Sequence, residues 1–238
     1  MSFQAQNNTK RLEPKINGFY VLLGFIILIS IIFLSIRSFN YLGFDISFAS
    51  FLVLTCIATS SINIPLGTLN ISARTIKQRF WGYSDFIFLN FLVPKNSINL
   101  KLNLGGAVIP LIVAFWTVLT SPNPLLLGGA TILGILPVSY IAFRFSKVIP
   151  NGIVLPLFLL PMTGIFSGAM WSSLFQLSLN DMTIAIYAIS TIGTLFGVDI
   201  FNIRNREAKT NENIEIGGRG ALDAIFLAGI GALFVLSF

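Results

Sequence analysis

The chain has 238 residues, of which 55% are hydrophobic and 10% charged, with a formal net charge of +6 and a mean hydropathy of +0.84. A water-soluble globule carries roughly a quarter charged residues, so this composition excludes one and indicates a polytopic membrane protein. Histidine is absent, which removes serine–histidine proteolysis, zinc chemistry of the HExxH kind, haem ligation and histidine proton relays, and leaves acid–base work to carboxylates.

Apolar runs of about twenty residues match a hydrocarbon core of about 30 Å. Seven occur in chain order, at 17–36, 42–61, 104–121, 125–143, 152–171, 183–202 and 220–238. The expected fold is an all-α membrane protein of about seven transmembrane helices, with a tail at 1–16, a single polytopic domain over 17–238 and a loop at 73–101. The first run is preceded by Lys10, Arg11 and Lys15, is followed by Arg37 and has no small-residue cleavage site, so it reads as a retained anchor. Cys56 sits in the second run and reads as a packed thiol. The loop at 73–101 carries Trp81, Phe86, Phe88 and Phe91, a composition suited to a membrane surface, and does not choose between helix and strand. Pro156, Pro161, Gly164 and Gly168 in the fifth run predict a kink, an interruption or a re-entrant segment.

Counting Lys and Arg between these runs gives fourteen on one side of the membrane and only Arg37 on the other. The positive-inside rule then places the N-terminus in the cytoplasm and the C-terminus outside, for a multi-pass protein of the cell membrane. The basic residues lie beside anionic headgroups, so the partner they imply is the lipid bilayer. With no basic helix and no RNA-binding motif, a nucleic-acid partner is not expected. Oligomeric state is not encoded in any of these features.

In that orientation the helix-disturbing and polar residues gather at the cytoplasmic ends of the runs. They include Asn63-Ile-Pro65, Asn103-Leu-Gly-Gly, Pro150-Asn151-Gly152 with Pro156, Gly197-Val-Asp199, and Gly217-Gly218-Arg219-Gly220-Ala-Leu-Asp223. Several helices are therefore expected to be interrupted near this face, around one wet cavity, because irregular backbone at membrane depth needs protein or water around it. Asp45 lies at the opposite end of its run. Asp199 and Asp223 each lie about three residues from a helix end, roughly 5 Å deep, on consecutive antiparallel helices. Gly193 and Gly197, four apart, would let the backbones close in.

Two carboxylates that share a site cannot both ionise readily: one keeps its proton and acts as acid while the other activates a water. The expected chemistry is peptide hydrolysis within the membrane, with Asp199 and Asp223 as the acid–base pair, single-span membrane proteins as substrates, and neither metal nor other cofactor. Gly218, Gly220, Asn63, Pro65, Asn103 and Pro156 would line the path of an unwound segment. Without Gly-Lys-Ser or Gly-Lys-Thr there is no phosphate-binding loop. The same residues also fit a small ion- or proton-coupled transporter, or a subunit of a larger membrane complex. In that last case Asp199 pairs with Arg204 or Arg206, and Asp223 serves the first turn of its helix beside Arg219.

Ser61-Ile-Asn-Ile-Pro-Leu66, Asn103-Leu-Gly-Gly-Ala-Val-Ile-Pro-Leu111, Gly193-Thr-Leu-Phe-Gly-Val-Asp199 and Ile216-Gly-Gly-Arg-Gly-Ala-Leu-Asp-Ala-Ile-Phe-Leu227 resemble a multi-pass membrane family of archaea and bacteria, a domain of unknown function. Asp199, and Gly218-Arg219-Gly220 followed by Asp223, also resemble at a greater distance the GxGD intramembrane aspartyl proteases of the presenilin and signal-peptide-peptidase type. That second resemblance implies one aspartate near a helix's cytoplasmic end and its partner just after a Gly-x-Gly in the next helix. Here Ala221 and Leu222 separate the second glycine from the aspartate, and Val198 stands where presenilins have tyrosine.

Overall fold

The computed structural model describes residues 18–70, 74–79, 88–93, 97–149, 152–156, 158–203, 213–218 and 223–237. The chain divides into two compact units, Met1–Phe33 and Leu34–Phe238. The first carries the opening turns of helix α1 (Gly18–Tyr41), which has no charged residue before Arg37 and no proline to break its hydrogen-bond ladder.

In the second unit, α1 ends before Gly43, whose φ of +103° reverses the chain at no steric cost. Asp45 then caps α2 (Ile46–Ala58), accepting the Phe48 N–H at 3.2 Å. Helix α2 stops after 13 residues, short of the run 42–61. Thr59 and Ser60 turn their hydroxyls back onto the carbonyls of Thr55 and Ile57, and the chain leaves through Ile62 as a strand.

The strands are β1 (Asn63–Asn70), β2 (Arg74–Arg79), β3 (Phe88–Val93) and β4 (Ser97–Asn103). The segment 73–101 is thus largely strand where it is described; Phe88 and Phe91 belong to β3, while Trp81 and Phe86 lie outside the described residues. A π-helical turn (Leu104–Val108) joins β4 to α3 (Ile109–Leu119), and α4 (Pro124–Phe145) follows. A short hairpin of β5 (Lys147–Ile149) and β6 (Gly152–Val154) leads to α5 (Leu159–Leu174). Helix α6 (Leu179–Thr194) continues as a π-helical segment (Leu195–Ile200), and β7 (Ile214–Ile216) precedes α7 (Ala224–Leu236).

Seven α-helices are found among the described residues, one in each apolar run. Three stretches, Phe19–Tyr41, Pro124–Phe145 and Leu179–Ile200, are long and apolar enough to cross a membrane. Ile46–Ala58, Leu104–Leu119 and Ala224–Leu236 are shorter apolar helices. The all-α expectation needs correction at the ends of the runs, where residues expected in helix form strand or π-helix. The fifth run shows this most plainly: it opens as β6, passes Pro156 and becomes helical only at Leu159. Pro161 then falls in the first turn of α5, where its missing N–H costs no helical bond.

The main sheet has the order β1-β4-β7. Strands β1 and β4 are antiparallel, from Asn63 opposite Asn103 to Asn70 opposite Ser97, with a register shift between Pro65 and Gly67. Gly67 adopts a φ of +142° at that irregularity, and Pro65 is tolerated because β1 is an edge strand. Strand β7 pairs with β4 in parallel, Leu100 with Ile214 and Lys101 with Glu215.

Helix α6 is the centre of the bundle: it contacts α3, α4, α5 and α7, and every residue from Thr183 to Thr194 is buried. Small residues let its neighbours approach. A Cβ at Gly134, Gly193 or Gly197 would collide with Ile189, Val138, or the Ser139 carbonyl and Ala142 methyl, respectively. The same sequence offset recurs in all three contacts, so α4 and α6 run side by side in one direction. Helices α5 and α7 run the other way, with Gly164 and Gly168 against Ser190 and Ile186, and Gly229 against Thr191.

Candidate functional site

The sheet end of the bundle is held by buried amides. Asn103 is fully buried and caps the π-helical turn, its Oδ1 accepting the Gly106 N–H at 2.8 Å. Its Nδ2 donates to the Ser60 carbonyl at 2.6 Å and to Asn63 Oδ1 at 2.9 Å. Asn63 Nδ2 in turn donates to Glu215 Oε1 at 3.2 Å. One chain of side-chain bonds therefore ties the end of α2, both edge strands and the start of α3 together, and the burial of Asn103 makes its bonds costly to lose. Gly105 packs so closely on the Cys56 carbonyl that no side chain fits there.

The end of α6 has its own clamp. Asn202, 2% exposed, donates through Nδ2 to the carbonyls of Gly197 at 3.1 Å and Val198 at 3.0 Å and to Ser146 Oγ at 2.8 Å. These carbonyls belong to the π-helical segment, whose i to i+5 pattern continues in the bond from Phe201 N–H to Phe196 O. Asp199 sits in that segment, 5% exposed, and its Oδ2 accepts the Gly217 N–H at 3.3 Å. Gly217 holds a φ of +67°, and a Cβ there would strike Ala107 and the backbone of Gly106. Its loop is thereby pressed onto the turn that Asn103 caps.

Asp223 is the N-cap of α7, its Oδ2 accepting the Ile225 N–H at 3.2 Å. Residues beside the two aspartates fall in shared core clusters: Val198 with Ala228 and Ala224 in one, and Ile225 with Leu195 and Ile200 in another. With Thr191 against Gly229, this antiparallel register sets Asp199 level with the opening turn of α7 that Asp223 begins.

The fold thus gathers Asn63, Asn103, Asp199, Gly217 and the start of α7 at one end of the bundle. Gly218 is half-buried against the Glu215 side chain. Pro156 is exposed, next to Leu155, which packs onto the Val198 cluster. Pro65 is exposed on the far edge strand, two strands from Glu215, and Gly220 lies outside the described residues.

A family model described as "Protein of unknown function (DUF1614)" matches residues 57–235. The chain belongs to this family. All four stretches that carry the first resemblance fall inside the DUF1614 region, and α1 precedes it. No curated protein and no solved structure matches the chain.

Two residues of this DUF1614 site escape a reading by apolar runs. Glu215 lies between runs six and seven; the alternation Asn213-Ile-Glu-Ile216, with both isoleucines buried, is the strand signal that would have found it. Asn202 carries no signal of its own, because its acceptors become available only when α6 turns π-helical. A second buried carboxylate, Asp181, belongs to the opposite end of the bundle, where it accepts the Ser121 and Ser178 hydroxyls at 2.6 and 2.9 Å and completes the N-terminal cap of α6.

Proposed function

We propose that this DUF1614 chain is an intramembrane hydrolase that cuts membrane-embedded peptide segments, with Asp199 and Asp223 as its acid–base pair. The observation that carries the reading is the α6–α7 register, which sets both aspartates at one level on touching antiparallel helices, with Asp199 bound to the loop that leads to Asp223. The GxGD-like order of glycines and aspartate in 218–223 supports it.

In this chemistry the ionised carboxylate takes a proton from water as the water oxygen attacks the peptide carbonyl carbon, while the protonated carboxyl gives its proton to the carbonyl oxygen. Collapse of the resulting diol breaks the C–N bond, the amine leaves with a proton from the pair, and a carboxylic acid and an amine are the products. A transmembrane helix must unwind before its carbonyls can be reached. Strand β7 ends one edge of the three-stranded sheet and runs directly into Gly217, so an extended segment laid along that edge would pass the aspartates.

The test uses the full-length chain and a single-span reporter in lipid vesicles. Asp199→Asn and Asp223→Asn should each slow cleavage by at least about 100-fold. Reporter cleavage that is unchanged in either variant removes the hydrolase. The partly buried chain from Asn103 through Asn63 to Glu215 favours a second reading, a proton- or ion-coupled carrier, since such amide and carboxylate oxygens coordinate cations. A silent reporter together with gradient-driven uptake that Asp223→Asn abolishes would select the carrier.

A further inference from the structure

Among the described residues, a cavity of about 250 Å³ opens at the end of the bundle opposite Asp199 and Asp223, the end that the positive-inside rule turns outward. It lies between the turn that joins α1 to α2, the last turn of α3 and the first turns of α6. Gly43 keeps one side open, since nothing comes within 4 Å of the place a Cβ would take there. Sites for drug-sized molecules start at about 300 Å³, so this one suits a single small polar group with a few waters.

The hydroxyls decide its chemistry. Thr117, Thr120 and Ser121 all line it. Thr117 donates to the carbonyls of Val113 at 2.9 Å and Ala114 at 3.1 Å, Thr120 to that of Trp116 at 2.8 Å, and Ser121 to the Asp181 carboxylate at 2.6 Å. With each proton spent on the protein, these hydroxyls have only oxygen lone pairs left for an occupant, which favours one that donates. Asn180, the other polar side chain of the wall, can add its amide oxygen.

The surroundings set the sign. No charged residue lines the cavity, but Asp181, 2% exposed, stands behind Ser121, and among the described residues its oxygens accept serine hydroxyls and no Lys or Arg. The last turn of α3 adds the negative end of a helix dipole, and the positive start of α6, roughly half a charge, is outweighed by Asp181 in its own first turn. Phe44 and Trp116 are the aromatic members of the wall, and aromatic faces attract organic cations. A divalent metal ion fits less well, since it takes carboxylate oxygens directly and no group of three metal-ligating side chains occurs among the described residues.

We propose that this pocket binds an organic ammonium group, whose N–H donors go to the Thr120 and Ser121 oxygens and whose charge rests against Trp116 with Asp181 behind it. The ammonium belongs either to the headgroup of an aminophospholipid or to a free amine, and the chemistry of recognition is the same for both. The site is remote from Asp199 and does not rest on the hydrolase reading.

The unfolding midpoint of the full-length chain in phosphatidylglycerol nanodiscs tests this. Replacing a minor part of the lipid by phosphatidylethanolamine should raise the midpoint by about 2 to 4 °C, while the N-acetylated form of that lipid, which lacks the charge, should not. Ethanolammonium chloride added to the pure phosphatidylglycerol discs, against sodium chloride at equal ionic strength, is the second arm. A rise there as well assigns the pocket to a free amine, and a rise with the lipid alone assigns it to a headgroup. Trp116→Leu should weaken binding of the effective amine about fivefold and Thr120→Val about threefold; both side chains are exposed, so neither change threatens the fold. No rise with either amine, an equal rise with the N-acetylated lipid, or a rise that both variants leave unchanged overturns the proposal.

Discussion

Asn202 shows how a single amide can set the backbone that carries a carboxylate. It takes up the Gly197 and Val198 carbonyls, which flank the turn leading to Asp199, and anchors them to Ser146 beyond the end of α4. Asn202→Ala would strand these acceptors in a buried corner, so the unfolding free energy should fall by about 2 to 4 kcal/mol. Chemical denaturation in micelles reads this directly, and an unshifted midpoint would remove Asn202 from the account of how Asp199 is held. Asn103 plays the corresponding part for the turn after β4. The sequence marks Asn103 as a residue that lines the site, but its bond to Asn63 depends on the register of β1 with β4.

Among the elements, α4 and α6 depend most on close approach. Gly197→Ala would drive a methyl into the Ser139 carbonyl and the Ala142 methyl, and overpacking of this kind costs about 1 to 3 kcal/mol. Gly128→Ala, on the same α4 but with nothing within 4 Å of the new Cβ, should instead add about 0.5 to 1 kcal/mol through helix propensity. Unfolding midpoints that shift in opposite directions would verify the seam, and equal shifts would refute it. The pattern Gly193-x-x-x-Gly197 announced a packing face in the sequence. Its partner was not legible: the next helix in the chain was the obvious candidate, whereas the structure presents both glycines to α4.

At the scale of the whole molecule, the lopsided distribution of Lys and Arg predicts that the segment 73–101 faces the cytoplasm. A protease added outside intact spheroplasts should leave that segment uncut, and one added to inverted vesicles should cleave it. Cleavage from the outside would reverse the orientation of every site residue. The end of the bundle that carries the sheet, Asp199 and Asp223 is the end from which this segment projects, so the same experiment decides which compartment reaches the site.

Hydrophobic runs and charge counts are sums over neighbouring residues, and transfer into a bilayer is close to such a sum. For that reason the amino-acid sequence alone determined that this is a helical membrane protein, where its helices lie and which two aspartates begin and end consecutive ones. Pairing of distant segments is not a local sum. Strand β7 lies beside β4 although more than a hundred residues separate them, and this contact creates the bond from Asn63 to Glu215 and delivers Gly217 to Asp199. The shortening of the helices, the π-helical turn of Asp199 and its bond to Gly217 were decided by tertiary structure, because each needs partners that come within reach only when the bundle closes.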